Sequence, residues 1–189
     1  MELPSGRFVL RLDPLVHQRL KLQAELRRIS LNEWISQIID GLGVNFSAEQ
    51  QAVLLAIQSV FGNRLEGVIL FGSVVRNEQR KNSDIDLLVV LKNDVPIDRS
   101  LYKNWDEKIA PNINQKYNPQ FSHQPVPEAA SSLWLEVSLE GEILLDIQGN
   151  LDQVLRKIRI EISENHYKRK ISQGHPYWVR NQLEEDDAK

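Results

Sequence analysis

The spacing of apolar residues changes period several times along the chain, and each change marks an element. Phe8, Leu10 and Leu12 alternate with Arg7, Val9 and Arg11, the two-residue period of a short strand. Asp13-Pro14 then offers a helix N-cap followed by a proline at the first helical position. Val16, Leu20 and Ala24 follow at helical spacing, widened by Leu22, Leu26 and Ile29. Ser30-Leu31-Asn32-Glu33 reads as a capping box opening a second helix, with Trp34, Ile35, Ile38 and Ile39 as its buried stripe and Gly41 as its stop. After the connector Leu42–Phe46, Ser47 caps a helix to about Phe61, halted by Gly62-Asn63. An apolar strand starts at Gly67 and ends in Gly72-Ser73, and a second starts at Ile85 and runs to Leu91. Beyond it, Tyr102, Trp105 and Ile109 predict a helix over about 98–109. The Asn-, Gln- and Pro-rich stretch 111–127 reads as loop, with a short strand at most over Gln120–Gln124. Over 131–139 the apolar residues fit either a strand or a helix, and Leu151–Ile162 is a helix with Leu151, Val154, Leu155 and Ile158 inward.

Composition adds exclusions. A chain of 189 residues holds one or two domains, and 41% hydrophobic with 26% charged residues is ordinary for a globular protein. The net charge, 23 − 26 = −3, rules out a chain that binds nucleic acid through bulk charge, so any such contact is local. With no cysteine there are no disulfides or thiolate zinc sites, which fits a reducing cytosol. The four histidines (His17, His123, His166, His175) show no H-E-x-x-H spacing. No apolar run approaches the roughly 20 residues of a membrane helix, and the first residues lack a signal-peptide layout. These features predict a soluble, cytoplasmic protein without a membrane partner.

The chemistry concentrates in Gly67–Leu91. Asp84 and Asp86 are two residues apart at the start of a strand, so both carboxylates project from one face. Two converging carboxylates repel unless a cation lies between them, and Mg²⁺ binds through one or two carboxylates plus substrate phosphates. A Gly72-Ser73 turn entering a helix adds backbone N–H groups and a hydroxyl that suit phosphate. A phosphate cradle beside metal-binding carboxylates points to nucleotidyl transfer.

The pattern G-S-x-x-R-x(6)-S-D-I-D-L resembles the signature of the DNA polymerase β-type nucleotidyltransferases, in particular their minimal bacterial members. The resemblance implies a small mixed β-sheet with flanking helices (α/β, or α+β). Mg²⁺ or Mn²⁺ would be held by Asp84 and Asp86, and an NTP donor by Gly72, Ser73, Arg76 and Ser83. It also implies a third acid on the next strand that activates the acceptor hydroxyl. Ser122 or His123 stands near that position; His123 as a general base and Asp146 as a third carboxylate are the candidates, with Glu136 weaker. In that layout 131–139 is a helix ending in Glu140-Gly141, followed by a strand to Asp146. Further on, Lys168-Arg169-Lys170 beside Tyr177 and Trp178 could grip an acceptor.

The first forty residues resemble the ribbon-helix-helix domain of HicB-like antitoxins, on the strand, the D-P helix start and S-L-N-x-W-I. One strand and two helices bury too little alone, and an unpaired strand invites a second copy, so a homodimer is implied. A two-stranded ribbon fits the DNA major groove, with Arg7, Val9 and Arg11 facing the bases of operator DNA and the helix start at Ser30 on a phosphate. The six Lys/Arg and five Asp/Glu of residues 1–40 give this segment a net charge of only +1, so pure dimerisation is the competing role.

The expected organisation is a ribbon-helix-helix domain over 1–43, a nucleotidyltransferase domain over 44–180 and a polar acidic tail over 181–189, expected to be disordered. The expected function is transfer of an NMP from an NTP to a protein or tRNA acceptor within a toxin–antitoxin system. The alternative is a DNA-binding antitoxin or regulator whose transferase-like domain is inactive and binds a nucleotide or partner.

Overall fold

The computed structural model describes residues 9–41, 46–76, 78, 83–114, 116–172 and 175–181. Arg7, Arg80, Lys81, most of the connector and most of the acidic tail lie outside them. The chain divides into two compact units, Met1–Ser47 and Ala48–Lys189.

In the first unit, α1 (Pro14–Arg27) and α2 (Leu31–Gly41) form as their caps predict. The Asp13 carboxylate accepts from the Leu15 amide at 2.8 Å, and the Ser30 hydroxyl accepts from the Glu33 amide at 3.1 Å. Arg28, in the left-handed region at φ 57°, ends α1. The Arg27 guanidinium then sits 3.9 Å over the Trp34 ring. Residues 9–12 carry no strand ladder. The physical reason is that a strand exists only through hydrogen bonds to another, and the described part of one copy offers none. Val9, Leu10, Leu15, Leu22 and Leu26 are exposed.

The second unit is built on a four-stranded mixed sheet in the order β3-β2-β1-β4. β1 (Leu65–Phe71) lies antiparallel to both β2 (Ile85–Leu91) and β4 (Glu142–Asp146), and β3 (Tyr117–His123) lies parallel to β2. β1 and β2 are buried along nearly their whole length, as central strands covered on both faces must be. One face packs Ile69, Leu88 and Val90 against Trp134, Leu135 and Val137 of α5 (Ser132–Glu140) and Leu151, Leu155 and Ile158 of α6 (Leu151–Ser163). On the other face, Phe121 makes edge contacts with Phe61 of α3 (Ala48–Phe61) at 5.5 Å and with Tyr102 at 5.0 Å. Tyr102 belongs to α4 (Arg99–Asn104), which widens into a π-helical turn over Trp105–Ile109.

Residues 132–140 are helical, and the strand to Asp146 follows, as the resemblance implied. Two elements differ from expectation. β3 spans seven residues rather than a fragment of loop. Its apolar positions Tyr117, Pro119 and Phe121 alternate and are buried, and as an edge strand it tolerates proline. The C-terminal basic and aromatic segment forms a hairpin of β5 (Tyr167–Ser172) and β6 (His175–Arg180).

Candidate active site

The sheet register assembles the site. Antiparallel pairing of β1 and β2 sets Phe71 opposite Asp86, so the turn that follows Phe71 closes directly over that carboxylate. Gly72 has φ +80°, and a Cβ built on it would overlap Asp86 Oδ2. Only glycine reconciles this backbone with so close a carboxylate. Among the described residues the chain then makes a single 3₁₀ turn, Gly72–Val74, rather than a long helix. Among the described residues, what faces a phosphate here is the turn itself and the half-buried Ser73. Ser83, also half-buried, immediately precedes Asp84.

The neighbouring strand contributes what faces the acids. Parallel register sets Asn118 opposite Asp86, and the Asn118 amide donates to Asp86 Oδ1 at 2.9 Å. Two residues earlier, Lys116 Nζ lies 2.9 Å from Asp84 Oδ1. Asn118 and Asp86 thus form a rung across β3 and β2, and Lys116 and Asp84 meet just ahead of those strands. Sequence reasoning missed Lys116 and Asn118 because β3 read as loop; the alternation of Tyr117, Pro119 and Phe121 was the signal that could have found them.

Arg76 occupies its motif position but is tied down. Its guanidinium meets Glu78 at 2.8 Å and Glu140, at the end of α5, at 2.5 Å, and these hydrogen bonds raise its already high pKa. One turn earlier on α5, Glu136 takes two bonds from Arg169, at 2.9 and 3.0 Å, and one from the Trp178 indole at 2.6 Å. Burial pushes the Glu136 carboxyl up, but those donors outweigh it and hold the pKa below its ordinary value. Glu136 therefore anchors the β5–β6 hairpin, and its cation is already supplied.

The remaining candidates do not converge on the acids. Ser122 accepts from the Trp134 indole at 2.8 Å, and His123 Nε2 contacts the Val95 carbonyl at 2.7 Å. His123 pairs with Leu91, five residues along β2 from Asp86, or roughly 16 Å at strand rise. Asp146 pairs with Gly67, at the other end of β1 from Phe71, and its carboxylate caps the Gly149 and Leu151 amides at 2.8 Å each. That is the geometry of a helix cap. In the first unit, Val9 and Arg11 are exposed and Ser30 caps α2, while Arg7 lies outside the described residues.

The donor set bears on a metal. Two half-buried carboxylates, that of Asp86 under the Gly72 turn, match the hard oxygen ligands Mg²⁺ or Mn²⁺ takes together with substrate phosphates. They lack the nitrogen and sulfur ligands of a closed zinc site. Among the described residues the one cluster of three acid or imidazole groups is Glu161, Glu164 and His166, at the end of α6. There His166 Nδ1 lies 2.8 Å from Glu161, an ordinary pairing at a helix end.

Residues 4–39 match the HicB family. A 55-residue stretch is 40% identical to spectinomycin 9-adenylyltransferase of Staphylococcus aureus, covering 28% of this chain and 21% of that protein. The chain thus spans about a fifth of the length of the curated relatives it matches. Among solved structures, a toxin–antitoxin complex with AMP-PNP is 18% identical, with TM-score 0.41, covering 61% of this chain and 87% of that one. A chain of the complex of tri-AMPylated Shewanella oneidensis HEPN toxin with MNT antitoxin is 17% identical, with TM-score 0.42, over 61% and 85%. Residues 53–182 match the nucleotidyltransferase domain, and with that match spanning most of its length the chain belongs to the nucleotidyltransferase domain family.

Proposed function

We propose that the chain transfers a nucleoside monophosphate from an NTP to a hydroxyl of a protein or RNA acceptor. The observation that carries this is the closure of the Gly72-Ser73 turn over Asp86, with Asp84 beside it. The acceptor oxygen bonds to the α-phosphorus, the bond from that phosphorus to the α,β-bridging oxygen breaks, and pyrophosphate leaves. The hydroxyl proton is released to solvent. A bound Mg²⁺ would supply charge neutralisation of the phosphates. Asp84 and Asp86 would hold that ion, the Gly72–Val74 turn and Ser73 would orient the β- and γ-phosphates, and Ser83 would support the Asp84 end. Arg76 reaches phosphate only by exchanging Glu78 or Glu140 for it. The similarity to an adenylyltransferase makes ATP the first donor to test.

The HicB match supports a head that dimerises and binds operator DNA, as in a toxin–antitoxin operon. The exposed apolar side chains of residues 9–26 suit a second copy. Arg11→Ala is expected to weaken operator binding while leaving the dimer intact in sedimentation; unchanged DNA affinity would remove Arg11 from the groove. The competing reading, a regulator with an inactive transferase-like domain, draws on the Lys116–Asp84 ion pair. Incubation with labelled ATP, Mg²⁺ and cell extract separates the two. Label on an acceptor, lost in Asp84→Ala, supports transfer; no label with any extract supports the regulator.

A further inference from the structure

The strand beside the two carboxylates carries no acid. It places Lys116 and Asn118 where they meet Asp84 and Asp86, each contact at 2.9 Å. Among the described residues, no cluster of three acid or imidazole ligands includes Asp84 or Asp86. Sites that use two cations hold them about 3.5–4 Å apart, and hard cations are bound through carboxylate and phosphate oxygens. Two carboxylates, one of them already matched by an ammonium, provide for one ion. Resting on the nucleotidyl-transfer reading, we propose that the Asp84/Asp86 site takes a single divalent cation with its nucleotide, and that Lys116 and Asn118 stand in the place of a second.

The two residues divide the work. Asn118 is a positioning residue. Its amide holds Asp86 Oδ1, which leaves Oδ2 under the Gly72 turn, where the phosphates would be held. A carboxamide takes no proton at neutral pH, so Asn118 is no base. Lys116 is a mobile charge: its side chain is 80% exposed on a flexible four-carbon stem. It neutralises Asp84 before the cation arrives and is free to move onto a phosphate or acceptor oxygen afterwards. A lysine serves here as a point charge on phosphate.

Electron paramagnetic resonance of the full chain with Mn²⁺ and α,β-methylene ATP tests this, since that analogue resists cleavage at the α,β bridge. The wild type should show the isolated-ion spectrum of one Mn²⁺ per chain, and Asn118→Asp should show the spin-coupled spectrum of two neighbouring ions. Lys116→Met, without nucleotide, should bind Mn²⁺ more tightly, by up to about fivefold, the most an exposed ion pair of at most ~1 kcal/mol allows. A coupled pair in the wild type overturns the proposal while leaving nucleotidyl transfer standing. So does an isolated ion in a folded Asn118→Asp, or unchanged or weaker Mn²⁺ binding in Lys116→Met. No Mn²⁺ binding by the wild type would overturn the proposal together with the reading beneath it.

Discussion

Gly72→Ala tests whether the turn and the carboxylate are one unit. At φ +80° an alanine pays left-handed strain of roughly 1–2 kcal/mol, and its methyl overlaps Asp86 Oδ2. The least costly relief is rotation of Asp86, which breaks the bond from Asn118; a hydrogen bond to a charged group contributes about 1.5–3 kcal/mol. Screening at this half-exposed site favours the low end, so the total loss is about 2.5–4 kcal/mol. Gly149 provides an internal control, because it has φ +70° with nothing within 4 Å of a built Cβ. Gly149→Ala should therefore lose only the strain, about 1–2 kcal/mol. At ~2–4 °C per kcal/mol for a chain of this size, the melting temperatures of the two variants should differ by several degrees. The second readout is Mn²⁺–nucleotide affinity by calorimetry, expected to fall at least tenfold in Gly72→Ala and to stay unchanged in Gly149→Ala. Equal melting losses together with wild-type binding in both variants would refute the packing of turn on carboxylate.

Glu136→Ala should loosen the C-terminal hairpin, costing about 1–3 kcal/mol, with amide exchange accelerated in 167–180 and transfer chemistry retained. The depressed Glu136 carboxyl gives this a pH signature. Its ionised form contributes stability that is present above the ordinary value of 4.5 and is lost as pH falls through the lower folded value. The melting difference between wild type and Glu136→Gln should therefore be full near neutral pH and shrink below about pH 4.5; a pH-independent difference would contradict it. Asp146→Ala removes the acceptor for the Gly149 and Leu151 amides and should cost roughly 0.5–2 kcal/mol without altering Mn²⁺–nucleotide affinity. Lost affinity in a folded Asp146→Ala would return that residue to the metal.

The sequence made the central strands, the caps of α1 and α2 and the turn-plus-carboxylate motif legible, because each has a local signature: a continuous apolar run, Asp13-Pro14, Gly72-Ser73, Asp84 and Asp86 two apart. Its failures were non-local. β3 is held by pairing with β2, and its Asn, Gln and Pro conceal an alternation of only three apolar side chains. Register alone decides that Asn118 meets Asp86 while His123 lies at the far end, and a single sequence does not print register. The β5–β6 hairpin went unread because Lys168, Arg169 and Lys170 look like a solvated run. What orders Arg169 is Glu136, 33 residues away in the chain. Glu140, likewise, meets Arg76 across 64 residues.

The central claim is that Asp84 and Asp86 support nucleotidyl transfer, and label transfer from α-³²P-ATP tests it most directly. With Mg²⁺ and extract, the wild type should label an acceptor and release pyrophosphate, chelation should abolish both, and the Asp84→Ala, Asp86→Ala double variant should reduce labelling by at least a hundredfold while remaining folded. Undiminished labelling by that variant would contradict the account.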